Sequence, residues 1–455
     1  MVIRGQDIVY VGKRFEGEVH ADVDATGKVV CPGFINTHIH MAGSPLDRSF
    51  VEGGGPPELG YDTLIDYLMP RHELLGPDAD AACLEYSLAE VLRNGATTCI
   101  EMGGGLGNLP ELVARYGNRV YYAPLYNSAA WYSPDGRTVA YDWSEQRGLD
   151  RLEEIAGEIE THDGACDGLL RGLLAPAQAD TCTEELLLKT REHAARLGVP
   201  ITIHVAQAPW EITNMVERVG TTPVAWLDRI GFLDDTVILG HAIFLGGTRW
   251  TDRPEDDITT IAESGASVGH APWVFGRDGM GLDTFDRYQR AGINMTLGTD
   301  TSPQNMIQAM RLAAIYSRMM EGGNPRATSA ADVFNAATLG GATALGRDDL
   351  GRIAPGAKAD LVIFSGTSTN MTPLRDPIQN IVFSAETEDV ETVIINGRTV
   401  VDAGRVVGLG DRAEEVNARV QRVAEAMWSG MATVDREGRT INDLAPPSFP
   451  PWEDA

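Results

Sequence analysis

The sequence predicts an α/β protein: a (β/α)8 barrel joined to a small β-sandwich-like domain built from both termini. Three observations predict it. Eight short apolar runs alternate with longer helical patterns through the middle of the chain. Strand-like segments lie at both ends. Histidines or an aspartate stand in or at the end of five of the eight runs.

The elements follow in order. VIRGQDIVYVG and EVHADVDATGKVV alternate like short strands, and the texture returns in KADLVIF and VETVIINGRTVVDAGRVV. Residues 1–32 and 346–405 are therefore expected to form one β domain. The eight runs are GFINTHIH, ATTCIEM, RVYYAPLY, LRGLLAP, PITIHV, TVILGH, ASVGH and INMTLGTD, all within 33–345. Between them DADAACLEYSLAEVLRNG, TEELLLKTREHAARLG and EDDITTIAESG read as helices, each ending near a glycine suited to a C-cap. Strands alternating with helices give parallel βα units, and eight units suit a closed (TIM) barrel. A doubly wound open sheet is the alternative, but no GxGxxG follows the first strand. Helical pattern continues through 303–345, and residues 406–455 are expected to hold one more helix (412–430) and an extended Pro-rich tail.

The chain has 455 residues, which suits about three domains, or fewer where a barrel absorbs ~250 residues or more. Its 43% hydrophobic and 22% charged residues exclude wholesale disorder. A net charge of −28 argues against nucleic acid or an anionic membrane as partner. The five cysteines are odd in number and none is paired as CxxC, which argues against a disulfide framework or a Cys-rich zinc site. The first residues lack a signal peptide's apolar core and no run of 18 apolar residues occurs, so a soluble cytoplasmic protein is expected.

Chemistry concentrates at the C-terminal ends of the proposed barrel strands, where such barrels build active sites. His38 and His40 are two apart on strand one, so both point to one face. His204 closes strand five, His241 strand six, His270 strand seven and Asp300 strand eight. An HxH pair alone is a weak signal. Imidazoles with a carboxylate on four strands suit zinc, iron, cobalt or manganese.

CPGFINTHIH, PITIHV, VILGHA, VGHAPWV and LGTDTS resemble, in order, the strand motifs of the amidohydrolase superfamily. The resembled branch contains cytosine deaminase, guanine deaminase and the s-triazine chlorohydrolases. LGRIAPGAKADLVIF followed by VETVIINGRTVV is similar to its return into the small β domain. The resemblance implies a metal-dependent hydrolase of non-peptide C–N bonds in a small molecule. It implies His38, His40, His204 and Asp300 as metal ligands, His241 as the group orienting water or substrate, and Asp300 also as general base. Binuclear members carry a lysine near the end of strand four; LRGLLAPAQADTC has none, so one divalent ion, zinc first, is expected.

Two departures stand out. Deaminase-like members place a glutamate three residues after the strand-five histidine, and here that residue is Gln207. Glutamine exchanges no proton at useful pH. Glu211, four further on, is placed at the start of the next helix. Where relatives have a substrate-contacting histidine after strand four, this chain has Ala177, with Gln178 beside it. These changes favour amide, urea or carbamate hydrolysis. Amino-heterocycle deamination or s-triazine-type hydrolysis is one alternative, and a catalytically silent ligand-binding barrel is another. Gln207, Trp210, His270, Trp273, Phe275, Gln178 and Glu101 are the expected substrate contacts; Trp131 and Tyr132 join the aromatics that suit a flat, apolar substrate. The GGG runs at 53–55 and 103–105 read as active-site loops. His20, His72, His162 and His193 need no special role. A homodimer is expected by analogy, with the Pro-rich tail and Trp452 suiting its interface.

Overall fold

The computed structural model describes residues 1–50 and 63–449. The glycines at 53–55 and Trp452 lie outside the described residues. The eight predicted runs each contain a strand: β1 (Phe34–Ile39), β2 (Ala96–Met102), β3 (Arg119–Ala123), β4 (Leu170–Gly172), β5 (Ile201–Val205), β6 (Val237–His241), β7 (Ser267–His270) and β8 (Met295–Leu297). They form two four-stranded parallel sheets, ordered β4-β3-β2-β1 and β5-β6-β7-β8. Hydrogen bonds connect the sheets at both edges. Thr202 donates to the Leu174 carbonyl at 2.9 Å beside β4, and Asp300 donates to the His38 carbonyl at 2.8 Å beside β1.

Strands three and four are shorter than their apolar runs. Pro124 lacks an N–H and interrupts the first, and the two chains resume pairing at Leu125–Tyr126 and Ala175–Pro176. Helices connect the strands as expected. Glu184–Leu197 starts where Thr183 accepts from the Leu186 amide and stops at Gly198, whose φ of 68° ends the helix without Cβ strain. The helical pattern over 303–345 is not continuous. It divides into Met306–Met320 and a segment from Ala330, because Gly322 and Gly323 adopt left-handed φ of 69° and 81° between them.

A buried apolar cluster fills the space inside the parallel strands. It includes Ile35, Ile100, Tyr121, Leu173 and Ile238, with Ala342, Leu345 and Leu350 packed against them. Both ends of the chain build the antiparallel sheet. Lys28–Pro32 pairs with Leu361–Ser365, which continues through Val390–Ile395 and Arg398–Asp402 to Arg405–Val406. The hairpin Val2–Arg4/Asp7–Tyr10 lies apart from that sheet, sharing a small core in which Ile8 meets Ala357, Leu361 and Ile394. Buried Arg119, at the start of β3, grips Asp360 at 3.0 Å and so ties the antiparallel sheet to the parallel strands. The C-terminal helix runs Ala413–Val434, longer than expected, and packs on Pro77–Arg93. Among the described residues no helix is long and apolar enough to cross a membrane.

Candidate metal centre

Backbone pairing brings the functional side chains together. The His38 carbonyl accepts from the amides of Thr299 and Asp300, and the His40 amide donates back to the Asp300 carbonyl at 2.8 Å. The Asn36 side chain locks the same junction, donating to Thr299 Oγ1 at 2.7 Å. Room for His38 comes from Gly240 and Gly298: a Cβ at either would lie within 2.7 Å of His38 atoms. Glycine in VILGH and LGTD is therefore a packing requirement of the site. Ala206, His241, Ala242 and Asp300 all have positive φ, at 53°, 143°, 54° and 63°. Non-glycine residues at positive φ are strained, and here they cluster at the C-terminal ends of β5, β6 and β8.

Five potential ligands converge. His204 Nε2 lies 3.3 Å from His40 Nε2. Asp300 carboxylate oxygens lie 3.4 Å from His241 Nε2, 3.7 Å from His40 Nε2 and 3.9 Å from His38 Nε2. Ligand bonds of 2.0–2.2 Å in a tetrahedron set donors roughly 3.3–3.6 Å apart, so the spacing fits one divalent ion. Among the described residues two triads have their ligand atoms all within 4.8 Å of one another: His38, His40 and His204, and His38, His241 and Asp300.

The orientation of the rings fits too. His40 Nδ1 donates to the Met102 carbonyl and His204 Nδ1 to the Ala177 carbonyl, both at 2.6 Å. A carbonyl only accepts, so each ring keeps its proton on Nδ1 and offers the Nε2 lone pair. Both ring nitrogens of His38 and of His241 are buried without a hydrogen-bond partner among the described residues. Orphaned groups clustered this way fit donors to an ion. Burial drives His38 and His241 well below the ordinary imidazole pKa and His204 down to about 3, with neighbouring imidazoles adding to the effect. The rings are thus neutral, as ligation demands. Burial pushes the Asp300 carboxyl up, against the pull of His40 and Arg277.

A cavity of about 290 Å³ opens above His40, His204 and Asp300. Gln207, Gln178 and Trp131 stand in its wall, and Gln178 Oε1 accepts from Thr181 at 2.9 Å. The other expected contacts do not line it. Glu101 turns its carboxylate to the Met41 amide at 2.7 Å, and burial holds its pKa up to about 8. Phe275 packs edge-on against the His241 ring, 4.4 Å between centroids. Trp210 stands edge-on to Trp131 at 5.6 Å. Trp273 buries its indole N–H without a partner, and Tyr132 is exposed. His270, paired with Leu297 on β8, faces a different cavity. Glu211 does start the next helix, and it accepts from the amides of Ala206 at 2.8 Å and Gln207 at 2.9 Å. It fixes the turn that presents Gln207 and has no place in the cavity wall.

Sequence reasoning missed the opposite wall: Ser44, Asp47, Arg71, His72 and Asp80. His72 therefore sits at the site despite its unremarked place in the sequence. Buried Arg71 pairs with Asp47 at 3.0 Å. No spacing rule joins residue 47 to residue 71, so no signal in the sequence marks them.

Parallel strands that end in a buried, neutral imidazole cluster with one carboxylate define the class: a metal-dependent hydrolase. The chain belongs to the amidohydrolase family, which matches residues 29–400. It is a hydrolase acting on non-peptide carbon–nitrogen bonds, and its substrate is a small molecule. It is similar to the 5-methylthioadenosine/S-adenosylhomocysteine deaminase of Thermococcus kodakarensis, 31% identical over 405 residues, covering 88% of this chain and 89% of that one. It is likewise similar to a 5'-deoxyadenosine deaminase of Methanothermobacter thermautotrophicus, 31% identical over 402 residues and 87% of each chain. Among solved structures, an adenosine deaminase from Xanthomonas campestris with bound zinc has a TM-score of 0.75 at 25% identity, covering 89% of this chain and 87% of its own. The zinc-complexed atrazine chlorohydrolase of Arthrobacter aurescens has a TM-score of 0.76 at 24% identity, over 93% and 94%. These likenesses place the fold among the TIM barrels.

Proposed function

We propose that this protein hydrolyses an amide, urea or carbamate C–N bond in a small, flat, fairly apolar molecule. The observation that carries this reading is Gln207: the cavity wall holds an amide where the resembled deaminases hold a proton-shuttling glutamate. The proposed ligands are His38, His40, His204 and Asp300, holding one zinc ion. Bound there, the ion supplies Lewis acidity that activates water near neutral pH. Asp300 accepts the proton as water adds to the trigonal carbon. His241 hydrogen-bonds the oxygen on which negative charge develops. Asp300 then returns the proton to the departing nitrogen as the C–N bond breaks. Gln207, Gln178 and Trp131 orient the substrate.

The surrounding architecture is part of the proposal. The hydrogen bonds at both sheet edges support one closed (β/α)8 barrel over residues 33–345. The hairpin and the five-stranded sheet support a sandwich-like domain from 1–32 and 346–405, with 406–455 as an appended helix and tail. A cytoplasmic homodimer completes it.

A second reading, deamination of an amino-heterocycle, is favoured by the names of the 31%-identical relatives. One experiment separates the two. Zinc-loaded protein is assayed for amine release from aryl amides, ureas and carbamates, and for ammonia release from 5'-deoxyadenosine, 5-methylthioadenosine and aminotriazines. Amine release is expected, with Gln207→Glu giving no gain on it. Ammonia as the main product, raised tenfold or more by Gln207→Glu, would overturn the first reading in favour of the second.

A further inference from the structure

A second cavity, of about 220 Å³, lies on the outer side of β7, between the loop after that strand and helix Met306–Met320. Its wall is almost wholly apolar, formed by Trp250, Met280, Leu282, Phe285 and Tyr316. It shares no lining residue with the cavity above the metal centre. One polar ring faces it. His270 is 96% buried and its imidazole makes no hydrogen bond among the described residues. The Trp250 indole N–H, also on the wall, is buried and has no partner among the described residues.

A partly open apolar cavity of this size suits a small apolar molecule. The His270 ring, largely buried and without a partner among the described residues, leaves a nitrogen free to accept from an occupant of the cavity. We propose that this cavity is a second binding site, for a small neutral aromatic molecule bearing one hydroxyl or amino group that donates to His270. The ring stacks among Phe285, Tyr316 and Trp250, and the donor points inward. Burial lowers the His270 pKa to about 3, so the ring is neutral and one nitrogen accepts. A charged ligand finds no counter-charge on this wall, which confines the class to neutral molecules.

The site does not depend on the metal or on the proposed reaction, so its test does not either. Phenol is titrated calorimetrically into the zinc-loaded protein, with toluene as the analogue lacking a donor. Saturable binding of one phenol per chain is expected, at least fivefold tighter than toluene. His270→Phe is expected to remove that preference. Two cavity-filling variants, Ala313→Phe and Gly281→Phe, are expected to weaken phenol at least tenfold while keeping wild-type metal content. A Cβ at Gly281 meets nothing within 4 Å, so this variant folds even if the tighter helix position does not tolerate the ring. Absence of saturable binding would overturn the proposal. So would unchanged affinity in the filled variants, or loss of phenol binding in His204→Ala, which would assign the phenol to the metal centre.

Discussion

The floor and the wall of the metal-site cavity are built by different physics. The floor consists of His38, His40, His204, His241 and Asp300, all at the ends of parallel strands and fixed by main-chain hydrogen bonds. The wall comes from segments between strands, held by side chains: Arg71 on Asp47, and Trp131 and Tyr141 on Asp180. A floor residue keeps its place as long as the sheet stands. A wall residue keeps its place only while one or two buried polar contacts survive. Floor substitutions should therefore abolish chemistry with little loss of fold, and substitutions in the buried polar contacts that hold the wall should cost fold first.

The largest expected effect is at Asp300. Its backbone bonds to His38 and His40 remain in Asp300→Asn, so the strand ends stay in register. Proton transfer is lost, and with it about 10²–10⁴ in turnover. Turnover measured beside metal content by plasma mass spectrometry checks this. His204→Ala in the same experiment should empty the site of its one metal ion per chain. Full metal occupancy in His204→Ala would remove that residue from the floor.

Next in size is Arg71→Met. Breaking a buried ion pair from one side leaves the other charge uncompensated, which costs about 3–5 kcal/mol. Urea unfolding should show that loss, while metal content stays at the wild-type level. A variant as stable as wild type, yet metal-free, would make Arg71 part of the floor and erase the distinction.

The contrast also explains what the sequence could reveal. His38 and His40 two apart, and Asp300 after LGT, are legible because strand register converts spacing along the chain into spacing in the site. The glycines of VILGH and LGTD belong to the same signal, since His38 occupies the space their side chains would take. Residues on the wall have no such rule. Asp47, Arg71 and His72 reach the cavity through packing between distant segments, so composition and periodicity are silent about them. The expected contacts that fell elsewhere share one cause: being near a strand end does not fix the face. His270 ends β7 as His241 ends β6, but His241 has a φ of 143° while His270 keeps strand pairing and lines the other cavity.

The smallest effect, and the sharpest comparison, concerns pH. Asp180 accepts from Trp131 Nε1 at 2.9 Å and Tyr141 Oη at 2.6 Å, so it anchors the aromatic side of the wall. Burial outweighs these bonds and Arg218, and pushes its carboxyl up to about 6 from 3.8. Between those values the folded protein keeps a proton that the unfolded chain has released. Folding is therefore favoured by this group below pH ~4, and that advantage is lost as pH rises through 6, by up to about 3 kcal/mol. Burial and the Asp180 charge also raise Glu211 well above its ordinary value, so its contribution runs in the same direction at higher pH. Asp180→Asn keeps an acceptor for both aromatic donors and removes the ionisation. Urea midpoints of wild type and variant at pH 4.5 and 6.5 should converge or cross as pH rises, with the variant gaining. The floor imidazoles titrate identically in both proteins and cancel in the difference. Parallel midpoints would mean that Asp180 is ionised throughout, and that Arg218 holds it as one half of a buried charge pair.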